Sequence, residues 1–154
     1  MLLPRGVTGI EGRKEGPPSR SDYRAFRQHC YAVARGVGGS VHEVLAPRRP
    51  IACNYALALI GFRDTTVAVA LNGVFPLLAF AAPPADSQDT LDFTDSPELT
   101  TQFEQFGGYT LLLADDLRQP LTREMWRDLA PHEQQQVRYF RPRQVGDVIF
   151  NHWD

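Results

Sequence analysis

The sequence predicts an α+β domain: an antiparallel β-meander of four to five strands packed against an N-terminal helix and a C-terminal helical group. Three observations predict it. Residues 21–35 carry apolar side chains at helical spacing, four short apolar runs between 40 and 82 are bounded by turn residues, and the pattern beyond Arg118 becomes helical again. Helix, then sheet, then helices is the order of an α+β chain. The 154 residues fit one domain. A domain of that size buries about 70% of its unfolded surface and holds a core without disulfide or metal.

Residues 1–20 are rich in Gly, Pro and charge and read as an irregular arm ahead of a single domain over 21–154. Ser21 is the expected N-cap of the first helix, with Asp22 in its first turn. Tyr23, Phe26, Cys30 and Val33 then recur at spacings of three and four, the apolar stripe of an amphipathic helix, while Arg20, Arg24, Arg27 and Arg35 lie off it. "GVGG" at 36–39 stops the helix, because glycine takes the left-handed C-cap conformation.

The four apolar runs are "SVHEVLA" (40–46), "IACNYALALIGF" (51–62), "TTVAVAL" (65–71) and "VFPLLAFAA" (74–82), separated by Pro47, Arg63-Asp64, Asn72-Gly73 and Pro83-Pro84. Asn-Gly between apolar runs is a strong hairpin signal. In the second run, Ala52, Asn54, Ala56, Ala58, Ile60 and Phe62 share one face and Ile51, Cys53, Tyr55, Leu57, Leu59 and Gly61 the other. Neither face is strongly polar, so this strand is central, and its alanine face lets a helix come close. Pro76 marks the fourth run as an edge or a bulge. After the acidic segment 83–104, "GGYTLLLADD" (107–116) gives one more strand. A helix can start at Thr122, another has Pro131 at its first position, and "QVGDVIFNHWD" (144–154) places Val145, Val148, Ile149 and Trp153 on one side of a terminal helix.

The net charge of −2 conceals a segregation. Residues 1–63 hold ten Arg/Lys and four acids (+6), residues 64–117 hold nine acids and no basic side chain (−9), and residues 118–154 hold six Arg and five acids (+1). Within the acidic part, Asp86, Asp89, Asp92, Asp95 and Glu98 recur every third position. A period of three matches polyproline II, which would align all five carboxylates along one edge. Pro83, Pro84 and Pro97 disfavour a helix there. This ladder is the candidate partner-binding strip; its bland alternative is a solvated loop pinned by Leu91 and Phe93.

Other chemistry is weaker. The ladder lacks the oxygen spacing and the glycine of a Ca²⁺ loop. Cys30 falls on the apolar stripe and Cys53 in a buried run, so both read as core thiols, and His29 points about 100° away from Cys30 on a helix. Paired Cys/His ligands at zinc spacing, G-x-S-x-G, G-x-G-x-x-G and a P-loop are absent. Asp147, Asn151, His152 and Asp154 cluster at the C-terminus, where a solvated helix face competes with a metal or acid–base site. No catalytic residue, metal ligand or cofactor is therefore assigned. No segment has the roughly 18 apolar residues of a membrane span, and the N-terminus lacks an apolar signal region. Two thiols in such a chain suit a cytoplasmic compartment.

These readings lead to a non-catalytic protein-binding module that docks a basic partner through 83–104. It would act as an adaptor, or in the manner of small acidic bacterial immunity proteins that block basic toxin nucleases, an analogy of class alone. Self-association of the +6 and −9 regions is a further expectation. The alternatives are a small enzyme using His42, Cys53, Asp147 or His152, and a nucleic-acid binder using Arg5, Arg13, Lys14, Arg20, Arg24 and Arg27. The pI of about 6.1 speaks against the last.

Overall fold

The computed structural model describes residues 1–10, 21–46, 53–85 and 90–153. Helix α1 (Tyr23–Gly36) opens on Asp22, whose side chain accepts from the Ala25 N–H at 3.0 Å. Asp22, not Ser21, is thus the N-cap: the Ser21 hydroxyl instead donates to the Asn72 carbonyl at 2.9 Å, tying the helix start to the sheet. Phe26, Cys30 and Val33 are fully buried, as the stripe requires, together with Ala34. The helix ends at Gly36, and Gly38 takes φ +71 as the chain turns back.

Strands β1 (Ser40–Leu45), β2 (Tyr55–Phe62), β3 (Thr65–Asn72), β4 (Leu77–Ala81) and β5 (Phe93–Thr94) form an antiparallel meander in that order. Strand β6 (Thr110–Leu111) joins β4 in parallel. The two sides of β2 bury different cores. Ala56, Ala58, Ile60 and Phe62 pack with Phe26, Cys30 and Val33 of α1, and Tyr55, Leu57 and Leu59 face a second core built from both ends of the chain. The alanine face admits α1 as its small side chains predict.

The two expected turns both join antiparallel strands, but differ in tightness. The tight hairpin is Arg63-Asp64, two residues between paired Phe62 and Thr65, with φ of +51 and +60. Asn72-Gly73 opens a wider connection, in which the buried Asn72 side chain accepts from the Val74 and Phe75 N–H groups while its NH₂ reaches into the core. Both hairpin residues being left-handed makes this the geometry that prefers glycine at its second position. Asp64→Gly is expected to stabilise the chain by about 0.5 kcal/mol and Asp64→Val to destabilise it by about 1–2 kcal/mol, read by urea unfolding. Equal stabilities would mean that the turn does not hold this conformation in solution.

Pro76 does not make β4 an edge. The strand starts one residue later and pairs with β3, β5 and β6, and the Pro76 carbonyl accepts from the Thr110 N–H at 2.8 Å. Proline sits there because the strand has not begun and no ladder donor is missing. Helix α2 (Pro97–Glu104) precedes β6, and beyond that strand come α3 (Ala114–Leu117), one 3-10 turn (Arg123–Trp126), α4 (Pro131–Phe140) and α5 (Gly146–Ile149). Pro131 is the first residue of α4, as expected. The terminal helix is a single turn, although Val145, Val148, Ile149 and Trp153 are all buried. Gly146 lies against the Phe93 ring, where a β-carbon would overlap it.

The first ten residues are built into the second core. Leu3, Val7 and Thr8 are fully buried. Thr8 lies against the buried Glu133 of α4, whose carboxylate accepts from the N–H groups of Gly6 (2.9 Å), Thr8 (3.2 Å) and Ala130 (2.9 Å) and from the Thr8 hydroxyl (2.5 Å). Three asparagines complete the fastening. Asn54, Asn72 and Asn151 hydrogen-bond the backbone of residues 7–8 and 148–153, so the first ten residues, the C-terminal segment and the open ends of β2 and β3 form one network.

Candidate functional site

Two clefts gather the residues that the sequence singles out. The first, about 570 Å³, lies at the Arg63-Asp64 end of the sheet and is lined by Thr65, Ala82, Asp92, Asp95, Glu98 and both Arg63 and Arg118, among others. Three members of the acidic ladder therefore do share one surface. Asp86 and Asp89 lie outside the described residues, as do Arg13, Lys14, Arg20 and Asp154.

From 92 to 98 the ladder is not a polyproline strip. Asp92 precedes β5, Asp95 follows it, and Glu98 stands in helix α2 (Pro97–Glu104). Pro97 begins this helix instead of preventing it, since the first helical position needs no N–H partner, and the Ser96 side chain caps it through the Leu99 N–H. Leu99 and Phe103 bury the inner face against α1 and the sheet. Leu91 and Phe93 are buried, as the solvated-loop alternative supposes for them, but they belong to a folded segment rather than a loose loop.

The three carboxylates are differently engaged. Asp95 accepts from the Ala114 N–H at 2.9 Å and so starts α3. Glu98 pairs with Arg63 at 3.0 Å, both exposed. Such an exposed pair contributes about 0–1 kcal/mol. Asp92 is exposed, and its backbone carbonyl, not its side chain, holds Ala82. Arg118 donates to the Phe93 carbonyl and stands 3.8 Å from the exposed Asp115. Across the cleft, carboxylates outnumber guanidinium groups, and Asp64, next to Arg63 in the chain, and Asp115, close to Arg118, add negative charge beside it.

The second cleft, about 780 Å³, opens between the end of α4 and the C-terminal segment. Its walls include Phe140, Arg141, Arg143, Asp147, His152 and Trp153. The Phe140 and Trp153 rings stack 5.3 Å apart and parallel within 2°. Asp147 accepts from the Gln144 amide at 3.1 Å, and partial burial raises its carboxyl above the ordinary aspartate range, opposed by Gln144 and Arg143. His152 Nε2 meets the Tyr55 hydroxyl at 3.2 Å. Asn151 lines the same cleft, yet its amide is spent on Thr8, Val148 and Trp153. The clustering of Asp147, Asn151 and His152 was legible in the sequence; the approach of Arg141 and Arg143 was not. Their signal, two arginines flanking a proline just after a helix, acquires meaning only once the terminal segment folds back on α4.

The remaining candidates are dispersed. His29 Nδ1 lies 2.6 Å from the Tyr109 hydroxyl, and its ring stacks on Phe106 at 4.1 Å. Cys30 is fully buried, and desolvation pushes its thiol up to about 12. That makes it a poor nucleophile at neutral pH. The Cys53 thiol donates to the Tyr55 carbonyl at 3.3 Å, while His42 lies over Gly61 on the edge strand β1. On α1, Arg24, Arg27 and Arg35 are exposed, and Arg27 lies over the Tyr31 ring. Among the described residues no group of three His, Cys, Asp or Glu side chains converges to hold a metal ion, and no helix is long and apolar enough to cross a membrane. Compared with known proteins, the chain matches no family model, no curated protein and no solved structure.

Proposed function

We propose that the chain is a non-catalytic protein-binding module that docks a basic partner on the face bearing Asp92, Asp95 and Glu98. The observation that carries this reading is that a stretch of 54 residues without Lys or Arg, 64–117, supplies three carboxylates to one cleft and further exposed acids beside it. Charge of one sign collected on a face raises the on-rate of an oppositely charged partner and makes its affinity salt-dependent. Arg63 and Arg118 within the cleft are compatible with that role: a basic partner can displace the exposed Arg63–Glu98 pair at little cost, because such pairs are weak. Asp86 and Asp89 extend the same acidic segment in sequence. An adaptor, or an inhibitor in the manner of small acidic immunity proteins, would use a face of this kind.

The test changes Asp86, Asp89, Asp92 and Asp95 to Asn and Glu98 to Gln. Amides preserve size, and the asparagine replacing Asp95 would still offer an oxygen to the Ala114 N–H. Wild type and variant are used as baits in lysate of the source cells, and the affinity of any retained protein is measured against salt. The expected result is a basic protein held by wild type and bound about tenfold or more weakly by the variant, with a flatter salt dependence. Identical retention by both baits, or by neither, overturns the reading.

A small enzyme is the second reading, favoured by the cleft that brings Asp147 and His152 together. A carboxyl raised by burial and an imidazole lining one cleft are groups of the kind that move protons.

A further inference from the structure

We propose that the cleft between α4 and the C-terminal segment binds a small anionic molecule, one bearing a carboxylate or phosphate group, through Arg141 and Arg143. This surface is separate from the acidic face and does not depend on it.

Three independent observations converge. The first is charge. Arg141 and Arg143 both line the cleft, and among the described residues neither belongs to an ion pair. Among the described residues the lining holds one carboxylate, Asp147, which accepts from the Gln144 amide and is countered by the charge of Arg143. Two arginines thus line a concavity whose counter-charge, among the described residues, is one carboxylate already shared between Gln144 and Arg143. Guanidinium is the side chain best shaped to take a carboxylate or phosphate in a paired, two-bond contact.

The second is backbone. Arg141 caps α4 with φ 50 and ψ 57, the left-handed region. Glycine takes that position easily and asparagine tolerates it, whereas a side chain such as arginine there costs on the order of 1 kcal/mol. A guanidinium is held here where the helix end alone would favour glycine. Strain retained beside a cavity is a pointer to use of the side chain.

The third is shape. A volume of about 780 Å³ falls in the size range of small-molecule sites. The walls are mixed as such sites are: Phe140, Pro142, Phe150 and Trp153 supply apolar surface, and Thr90, Gln144 and His152 supply polar groups around the arginines.

The experiment titrates the full chain at low salt with inorganic pyrophosphate and, separately, with citrate, read by calorimetry and by the indole N–H resonances of the two tryptophans. Trp153 lines the cleft and Trp126, under Arg138, does not. The expected result is saturable binding of at least one probe, with the Trp153 resonance shifted and that of Trp126 unmoved. The stronger probe tells phosphate from carboxylate ligands. In the variant Arg141→Asn/Arg143→Gln, where asparagine tolerates the left-handed backbone, affinity should fall about tenfold or more. The variant Arg123→Gln/Arg127→Gln removes the same charge outside the cleft and should leave binding within twofold. Three outcomes overturn the proposal: no binding of either probe at millimolar concentration, equal loss in both variants, or binding that leaves Trp153 unmoved.

Discussion

Replacing Glu133 by alanine is expected to cost about 3–5 kcal/mol, enough to leave the chain largely unfolded at physiological temperature. The side chain is wholly inaccessible to solvent, and no basic residue contacts it among the described hydrogen bonds and ion pairs. Its four donors belong to three places: Gly6 and Thr8 near the start of the chain, and Ala130 at the start of its own helix. Truncation strands three buried N–H groups and a hydroxyl, each losing a partner that water cannot replace. Glu133→Gln separates geometry from bonding. Each carboxylate oxygen takes at least one backbone N–H, so either orientation of an amide sets its own NH₂ against a donor. Glutamine is therefore expected to cost about 2–4 kcal/mol despite equal size. Urea unfolding measures both values. Hydrogen exchange at Gly6 and Thr8 reports whether the first ten residues detach before the rest unfolds. A cost below about 1 kcal/mol for both variants would mean that the N-terminal segment does not dock on α4 in solution.

That segment marks where sequence reasoning stopped. Helix α1, the meander and α4 were legible because each rests on local signals: a stripe at helical spacing, turn residues between apolar runs, and a proline at a helix start. The burial of Leu3, Val7 and Thr8 was not, because glycines and charges around them imitate a linker. What fixes them is a contact between Thr8 and Glu133, 125 residues apart, and no periodicity records such a pairing. Glu133, three residues after Ala130, did carry a local signal: an acid at this position commonly reaches back to the start of its helix. The same distinction holds at the acidic ladder. Its period of three was real in the sequence, yet Ser96 and Pro97 had more to say, since a capping serine followed by proline starts a helix wherever the next apolar residues can be buried. Leu99 and Phe103 satisfy that condition.

Asn72 should prove as demanding as Glu133, for a reason that its neighbour Gly73 obscures. In sequence Asn-Gly reads as a turn; in the fold the asparagine side chain is fully buried at the end of β3. Its amide donates to the carbonyls of Val7 (2.9 Å) and Ile149 (2.8 Å), and its oxygen accepts from the N–H groups of Val74 and Phe75, both at 2.9 Å. All four hydrogen-bonding sites available at such distances serve the backbone of three separate segments. Asn72→Asp keeps the shape and removes both donors, leaving two buried carbonyls opposite a carboxyl group. The expected cost is about 3–5 kcal/mol at neutral pH, well above the loss of one ordinary hydrogen bond. It should shrink at acid pH, where a protonated carboxyl returns one donor to one of the two carbonyls. Asn54→Asp is the internal comparison. It makes a similar set of contacts to Val7, Thr8, Ile149 and Asn151, but Asn54 is partly accessible, so water can take over part of the lost bonding and the cost should be about half as large. Because Asn72 and Asn54 hold the backbone from which Asn151, His152 and Trp153 project, both variants should also weaken anion binding at the C-terminal cleft at temperatures where the chain remains folded. If the two substitutions cost the same, and less than about 1 kcal/mol, burial at the end of β3 is not what makes this amide matter.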